Sequence, residues 1–528
     1  MTASTRALAR AGLVVSGAFL VSRVLGWLRL VVIGNTFGAS AELDAFFAAF
    51  RVPDLLFQLV AAGALSSALI PVIASVTTAD GPARAWRVVS TVLNLMLIAL
   101  LGLSAIAFVA APQIVGLIAG GFDEATLEQT IELTRIMLLG PIFLATGAVA
   151  TSVLNARDRF AAAAVAPIVY NLAIIGAALF LAPSLGVEGL ALGVVAGSVS
   201  HILVQLLPLK AIGFRYHPAI EVGDPAARRA LALMGPRAVG LGATQITFVV
   251  VTALASTLGV GAVTAFTVAF TLLQVPLGVI GVPLGVVLFP SMSREVASGN
   301  VDQLVAMLSR ALRLLAVVML PTAVITALLR VEAVAVLFRA FDLAAVTMTA
   351  DALLVFQVGL LAHAWIAILA RAFYAQQDTL TPVIAAVVAV GFTAVSATFL
   401  AVPFGLSGIA LAMALAAWLE AGILVLILRR RVTAFRMGGV ASVTLRTALA
   451  VALAGAVGVV VHGVVGPALA PDPIGGGVAT VLGLALTVLI VGAVYAAVFV
   501  VAALALRIDD LRSIVELMID ALRRPRRS

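Results

Sequence analysis

The chain is 528 residues long, 63% hydrophobic and only 11% charged, with a mean hydropathy of +1.22. So little polar side chain cannot solvate a water-soluble globule, and the composition defines a polytopic α-helical membrane protein. The absence of cysteine excludes disulfides, thiolate chemistry and cysteine-bound metal, and the formal charge of +8 lies in short loops and at the C-terminus, where membrane topology explains it without nucleic acid.

A spanning helix needs about 20 apolar residues. Runs of that kind fall near 11–36, 41–75, 85–117, 130–155, 160–182, 187–209, 230–258, 262–290, 303–329, 346–374, 380–402, 407–428, 443–467 and 475–506, about fourteen in all. The first follows Arg6 and Arg10, is too long for a cleavable signal peptide and carries Arg23 and Arg29, so it is expected to remain as a spanning helix. The second carries Asp44, Arg51 and Asp54. Five charges within two adjacent spans are costly at bilayer depth and point to a binding site, because such residues persist where they face a cavity or a partner. Local readings stand beside that one: the arginines snorkelling to the interface, Asp44 pairing with one of them, and Arg51 with Asp54 as an i,i+3 pair.

Arginines recur in alternate loops, at Arg84 and Arg87, Arg157 and Arg159, Arg228 and Arg229, Arg310 and Arg313, and Arg429, Arg430 and Arg431. The other loops hold little beyond Arg135, Arg330 and Arg339, with acids at Asp123, Glu124 and Glu128. The positive-inside rule then places both termini in the cytoplasm, which requires an even number of spans. The chain also looks doubled. Near the end of each half a span closes on a polar cluster, Asn155 to Phe160 and Arg371 to Asp378, followed by an apolar helix, a glycine-containing turn (Gly186 to Gly189; Gly405 to Gly408) and another helix. Repeats of this kind are a common build for transporters, with substrate between the halves.

The opening motifs, Ser22-Arg23-Val24-Leu25-Gly26, Asp44-Ala-Phe46-Phe47 through Arg51-Val-Pro53-Asp54, and Gly63-Ala64-Leu65-Ser66 with Pro71, resemble the MurJ (MviN-type) lipid II flippase family. The resemblance continues through Arg159-Phe160 with Pro167 and Asn171, Gln274-Val-Pro276-Leu277-Gly278 with Leu288-Phe289-Pro290-Ser291, and Arg371-Ala-Phe373-Tyr374-Ala with Asp378-Thr379. That family belongs to the multidrug/oligosaccharidyl-lipid/polysaccharide exporter superfamily. The resemblance implies an all-α polytopic fold of about 14 transmembrane helices, two six-helix bundles around a central cavity plus two C-terminal helices. On this sequence the parts would be an N-terminal lobe over 1–215, a second lobe over 216–436, two additional helices over 437–506 and a basic amphipathic tail over 507–528.

The function implied is movement of undecaprenyl-diphosphate-disaccharide-pentapeptide, lipid II, from the cytoplasmic to the outer leaflet of the bacterial inner membrane by alternating access. Arginine suits a diphosphate because its guanidinium is always charged and offers paired donors. The expected substrate-binding residues are Arg23, Arg29, Asp44, Arg51, Asp54, Arg237, Thr271 and Gln274. The chain departs from the family where Thr271 and Gln274 replace an arginine and an acid, where Phe270 replaces an aspartate, and at Leu30, Phe57 and Ala62. Arg237 is the expected cation from the other half.

No catalytic residues or metal ligands are expected, since no paired carboxylates or metal-ligand spacing stand out. Nor does any phosphate-binding loop of the G-x-x-x-x-G-K-[ST] type occur, so no cofactor is expected and the energy source is membrane potential, an ion gradient or removal of product. The expected partners are the lipid-linked substrate, membrane lipids, through the basic tail, and proteins of cell-wall synthesis. Three other readings stay open: a flippase for another polyprenyl-diphosphate-linked glycan, an ion-coupled small-molecule exporter on the same fold, and a non-transporting scaffold. Glu420, inside the twelfth span, is either a proton or ion site or a hydrogen-bonded buried acid.

Overall fold

The computed structural model describes residues 3–511 except 61–63, 219, 475 and 476, with side chains left out at 3–16, 19, 64–67, 235–241, 243 and 244. The basic tail expected over 507–528 therefore lies, from 512 onward, outside the described residues. Among the described residues every regular element is a helix. In chain order these are α1 (Ala3–Phe37), α2 (Ala41–Val60), α3 (Ala64–Asp80), α4 (Pro82–Val109), α5 (Ala111–Ile118), α6 (Glu124–Met137), α7 (Gly140–Ala156), α8 (Phe160–Phe180), α9 (Ala182–Ala211), α10 (Pro225–Ser256), α11 (Ala262–Pro276), α12 (Val282–Ala297), α13 (Val301–Leu328), α14 (Arg330–Leu337), α15 (Leu343–Ala375), α16 (Leu380–Arg431), α17 (Gly438–Leu469) and α18 (Val478–Ala505). A π-helical turn, Leu277–Gly281, joins α11 to α12 between Pro276 and Pro283. Proline removes an intrahelical donor, and such a turn is how a helix absorbs the loss.

Eleven stretches among the described residues are long and apolar enough to cross a membrane. Large apolar side chains face outward along them, including Leu207 at 79% and Val402 at 88% exposure, which only a lipid solvent tolerates at this density. The protein is a multi-pass membrane protein.

The chain forms two compact units, residues 1–264 and 265–528. In the first, α8 packs along α1 and α9, and α10 packs on α2 and α3. In the second, α15 packs on α13 and α16, and α17 pairs with α18 and α13. Tyr495 of α18 donates to the Pro321 carbonyl of α13 at 3.1 Å, tying the last helix to the same unit.

The doubling expected from the sequence reaches the backbone. Asp158 and Gln377 are both non-glycine residues at positive φ, of 57° and 60°, and stand 219 positions apart. Each closes a helix in the same way: the Asp158 amide donates to the Asn155 carbonyl and the Arg159 amide to Leu154, while Gln377 donates to Tyr374 and Asp378 to Phe373. That is the Schellman pattern, which satisfies the orphan carbonyls of a helix end. Twenty-eight residues after each lies a glycine with φ of 58° and 55°, Gly186 and Gly405, which breaks α9 and α16. The same offset carries α4 onto α13 and α5 onto α14, and it carries the capping Asp123, which accepts from Thr126, onto Asp342, which accepts from Ala345. The two repeats are thus in register without insertion over this span.

Candidate functional site

The charge-bearing helices α1 and α2 belong to the first unit. Gly26 brings α1 close to α8, where Asn171 donates to the Ser22 carbonyl at 3.4 Å and to Pro167 at 2.9 Å. One turn further along α1, the Arg29 guanidinium sits over the Tyr170 ring of α8, 5.8 Å from its centroid. Arg29 lines a cavity of about 60 Å³ with Leu30, Ile33, Phe46, Phe47, Phe50, Ile174 and Val194. That volume holds about two waters. A cation held among aromatic and aliphatic walls is worth more to an anion than one in water, because the surroundings screen it less. Arg23, six residues earlier, is on an exposed part of α1.

The three charges of α2 are each met by the α10 side of the unit. Asp44 is 1% exposed and accepts three hydrogen bonds, from the Gly261 amide at 2.7 Å, the Thr264 amide at 2.7 Å and the Thr264 hydroxyl at 2.6 Å. It thereby caps the start of α11, where Gly261 has no side chain to do so. Seven residues on, Arg51 donates to the Thr252 hydroxyl at 3.0 Å and lies over the Phe248 ring at 5.2 Å. Asp54 accepts from Gln245 at 2.7 Å. As residue numbers rise on α2, their partners fall from 261 through 252 to 245, so α2 and α10 run antiparallel with a polar rung at each level. Asp44 pairs with backbone amides and a hydroxyl, and no ion pair within 4.0 Å joins Arg51 to Asp54. Arg51 and Asp54 still attract each other along α2, while Asp44 meets the start of α11 in place of an arginine.

Gln245, Thr252 and Thr264 carry this seam, and sequence reasoning missed them. Gln245 and Thr252 stand seven apart on an apolar helix, but their partners Asp54 and Arg51 stand three apart, so no shared spacing marks the seam. Arg237 belongs to α10, but its side chain lies outside the described residues.

Thr271 and Gln274 belong to α11 in the second unit. Thr271 donates back to the Thr267 carbonyl at 2.7 Å, and Gln274 is exposed. Phe270 stacks on Phe266 at 5.8 Å and meets Phe356 edge-on at 5.6 Å, giving an aromatic wall where a charge was expected from the family pattern. Arg371 of α15 occupies the space left by the absent side chain of Gly285 on α12 and donates to the Ala367 carbonyl at 2.6 Å. At the α15–α16 turn, Asp378 accepts from the Thr381 amide and hydroxyl and pairs with Arg431. Its partial burial opposes the charge, yet the Thr381 and Arg431 hydrogen bonds prevail and hold the carboxyl down at about 2.

A profile of the lipid II flippase MurJ family matches residues 33–471, most of the chain. The chain belongs to the MurJ family. It is 35% identical to the lipid II flippase MurJ of Burkholderia cenocepacia over 80% of this chain and 84% of that protein. It is 33% identical to a probable lipid II flippase MurJ of Rhizobium tropici, over 79% of this chain and 80% of that one. Among solved structures, a lipid II flippase MurJ in an inward closed conformation superposes with a TM-score of 0.74 at 22% identity, covering 92% of this chain and 98% of that chain. An inward-facing multidrug MATE transporter of the MOP superfamily superposes at 0.65 with 18% identity, over 80% and 95%. The MurJ fold is therefore shared, and the wider transporter architecture with it.

Proposed function

We propose that this chain is a lipid II flippase, moving undecaprenyl-diphosphate-disaccharide-pentapeptide from the cytoplasmic to the outer leaflet of the bacterial inner membrane by alternating access. The match to the MurJ family over residues 33–471 carries the reading. It is a transporter, not an enzyme. In it Arg29, with Arg23 and Arg237, engages the diphosphate, and its position in a cavity walled by Phe46, Phe47 and Phe50 supports that role. Arg51, Asp44 and Asp54 hold the site through the α2–α10 seam, and Thr271 and Gln274 contact the polar head. We read the chain as fourteen crossings with both termini in the cytoplasm: the eleven long spans, with α16 counted twice because Gly405 breaks it, plus α2–α3 and α10. The lobes extend over 1–215 and 216–436, followed by α17 and α18, and proteins of cell-wall synthesis are its neighbours in the cell.

A second reading, a flippase for another polyprenyl-diphosphate glycan, is favoured by one observation: Phe270 sits in an aromatic stack, flanked by uncharged Thr271 and exposed Gln274. The test is translocation in liposomes holding purified protein and either labelled lipid II or a different undecaprenyl-diphosphate sugar. Faster appearance of lipid II in the opposite leaflet supports the first reading; movement of the other glycan alone supports the second.

A further inference from the structure

In the second unit, two ionisable side chains lie in apolar helices and take no part in the site above: His363 on α15 and Glu420 on α16. Both are half-buried, and no hydrogen bond or ion pair engages either within the described residues. An ionisable group inside a span is expensive and is retained chiefly where protons, ions or substrate pass.

The packing of α15 on the second segment of α16 fixes where they stand. Gly359 approaches Ala414, and Ala362 clusters with Ala417 and Ala421, so residue numbers rise together and the two segments run parallel. On one flank of this seam the Trp365 and Trp418 rings meet edge to face at 5.8 Å. His363 precedes Trp365 by two residues and Glu420 follows Trp418 by two. At about 100° per residue, each is turned about 160° from its tryptophan, which puts both on the opposite flank. Depth agrees as well. With Gly359 beside Ala414, His363 stands level with Trp418, and Glu420 lies two residues, about 3 Å, further along the axis. The 219-residue repeat adds a parallel, since it maps Glu420 onto His201 of α9, whose Nδ1 is buried without a partner among the described residues.

We propose that His363 and Glu420 together hold one transferable proton and form the ion-coupling site of the transport cycle, a proposal that rests on the transporter reading above. The loaded pair holds its proton as a neutral carboxylic acid beside neutral imidazole. The unloaded pair is carboxylate beside neutral imidazole. Loading thus adds one positive charge, and release returns one proton without any other bond changing. The remaining titratable groups on packed elements stand off from this level or are engaged. On α15 they are Asp351, Arg371 and Tyr374, and on α16 Arg429, Arg430 and Arg431 near its end. On α12 they are Arg294 and Glu295, on α14 Arg330 and Glu332, the last paired with His462, and on α13 Asp302, Arg310 and Arg313. Leu312 accepts from Trp365, so Arg313 is the one near this level, and it is paired with Asp510 at 3.2 Å.

The test uses full-length protein in liposomes with two readouts. Infrared difference spectra across a pH titration, taken without substrate, should show a carboxylic-acid carbonyl band that disappears in Glu420→Gln and moves in His363→Gln. Lipid II translocation should accelerate when a pH gradient is imposed, and both variants should keep gradient-free translocation while losing the acceleration. A titrating band unchanged by either substitution overturns the proposal, as does full acceleration in both variants, or acceleration that follows a sodium gradient in place of a pH gradient. If wild-type protein translocates nothing, the flippase reading fails, while the infrared band still decides whether the pair binds a proton.

Discussion

Asp44 illustrates how one buried carboxylate separates architecture from chemistry. Its three hydrogen bonds satisfy the start of α11, so Asp44→Ala leaves two buried amides without an acceptor and should cost about 1–3 kcal/mol. Thermal unfolding of purified protein checks this, and Asp44→Asn, which keeps one acceptor oxygen, should lose less. Arg29 behaves differently: besides its hydrogen bond to Tyr170 of α8, it puts a cation over that ring and into the cavity, and it caps no helix end. Arg29→Ala should leave the unfolding temperature near that of wild type and abolish translocation. Asp378 gives a pH-dependent case. Its folded carboxyl is held at about 2, below the ordinary value of about 3.8, so the charged form is bound more tightly in the folded protein. The stability this supplies is fully present above the unfolded value and is lost as pH falls through the folded one. Asp378→Asn should therefore lower the unfolding temperature at pH 7, and the gap to wild type should close as the medium is acidified toward pH 2.

At the scale of elements, the glycine-containing turns expected after the polar clusters are present at Gly186 and Gly405 as breaks inside α9 and α16. Their φ of 58° and 55° with ψ of −144° and −134° is a conformation that side chains resist. A Cβ at Gly405 would meet nothing within 4 Å, so Gly405→Ala isolates the backbone term. It should cost about 1–3 kcal/mol, measured as a fall in unfolding temperature, and Gly405→Asn should lose as much, because the positive φ that Asn tolerates goes with a positive ψ and not with −134°. The helical class and these turns were legible because apolar runs and glycine punctuation act locally. The α2–α10 seam was not, because Asp44 is satisfied by backbone amides that carry no sequence signal. Gln245 and Thr252 are single polar residues of a kind that also bond their own helix, as Thr271 does. The short helices α5 and α14 were also hidden, since their apolar content merges with the spans or loops beside them.

For the whole molecule, the 219-residue repeat and the family match describe one object: a duplicated helical transporter whose first unit carries the conspicuous arginines and whose second carries an unengaged histidine and glutamate. Duplication was readable from the recurring polar clusters, but its register became visible only through paired backbone features such as Asp158 with Gln377. The proposed activity is flipping of lipid II through a site that Arg29 lines. Complementation of a bacterium depleted of its own lipid II flippase, with wild type compared with Arg29→Ala and both verified in the membrane, tests it most directly. Growth with wild type and lysis with the variant are expected; lysis with well-inserted wild type, or equal growth with both, would overturn that role.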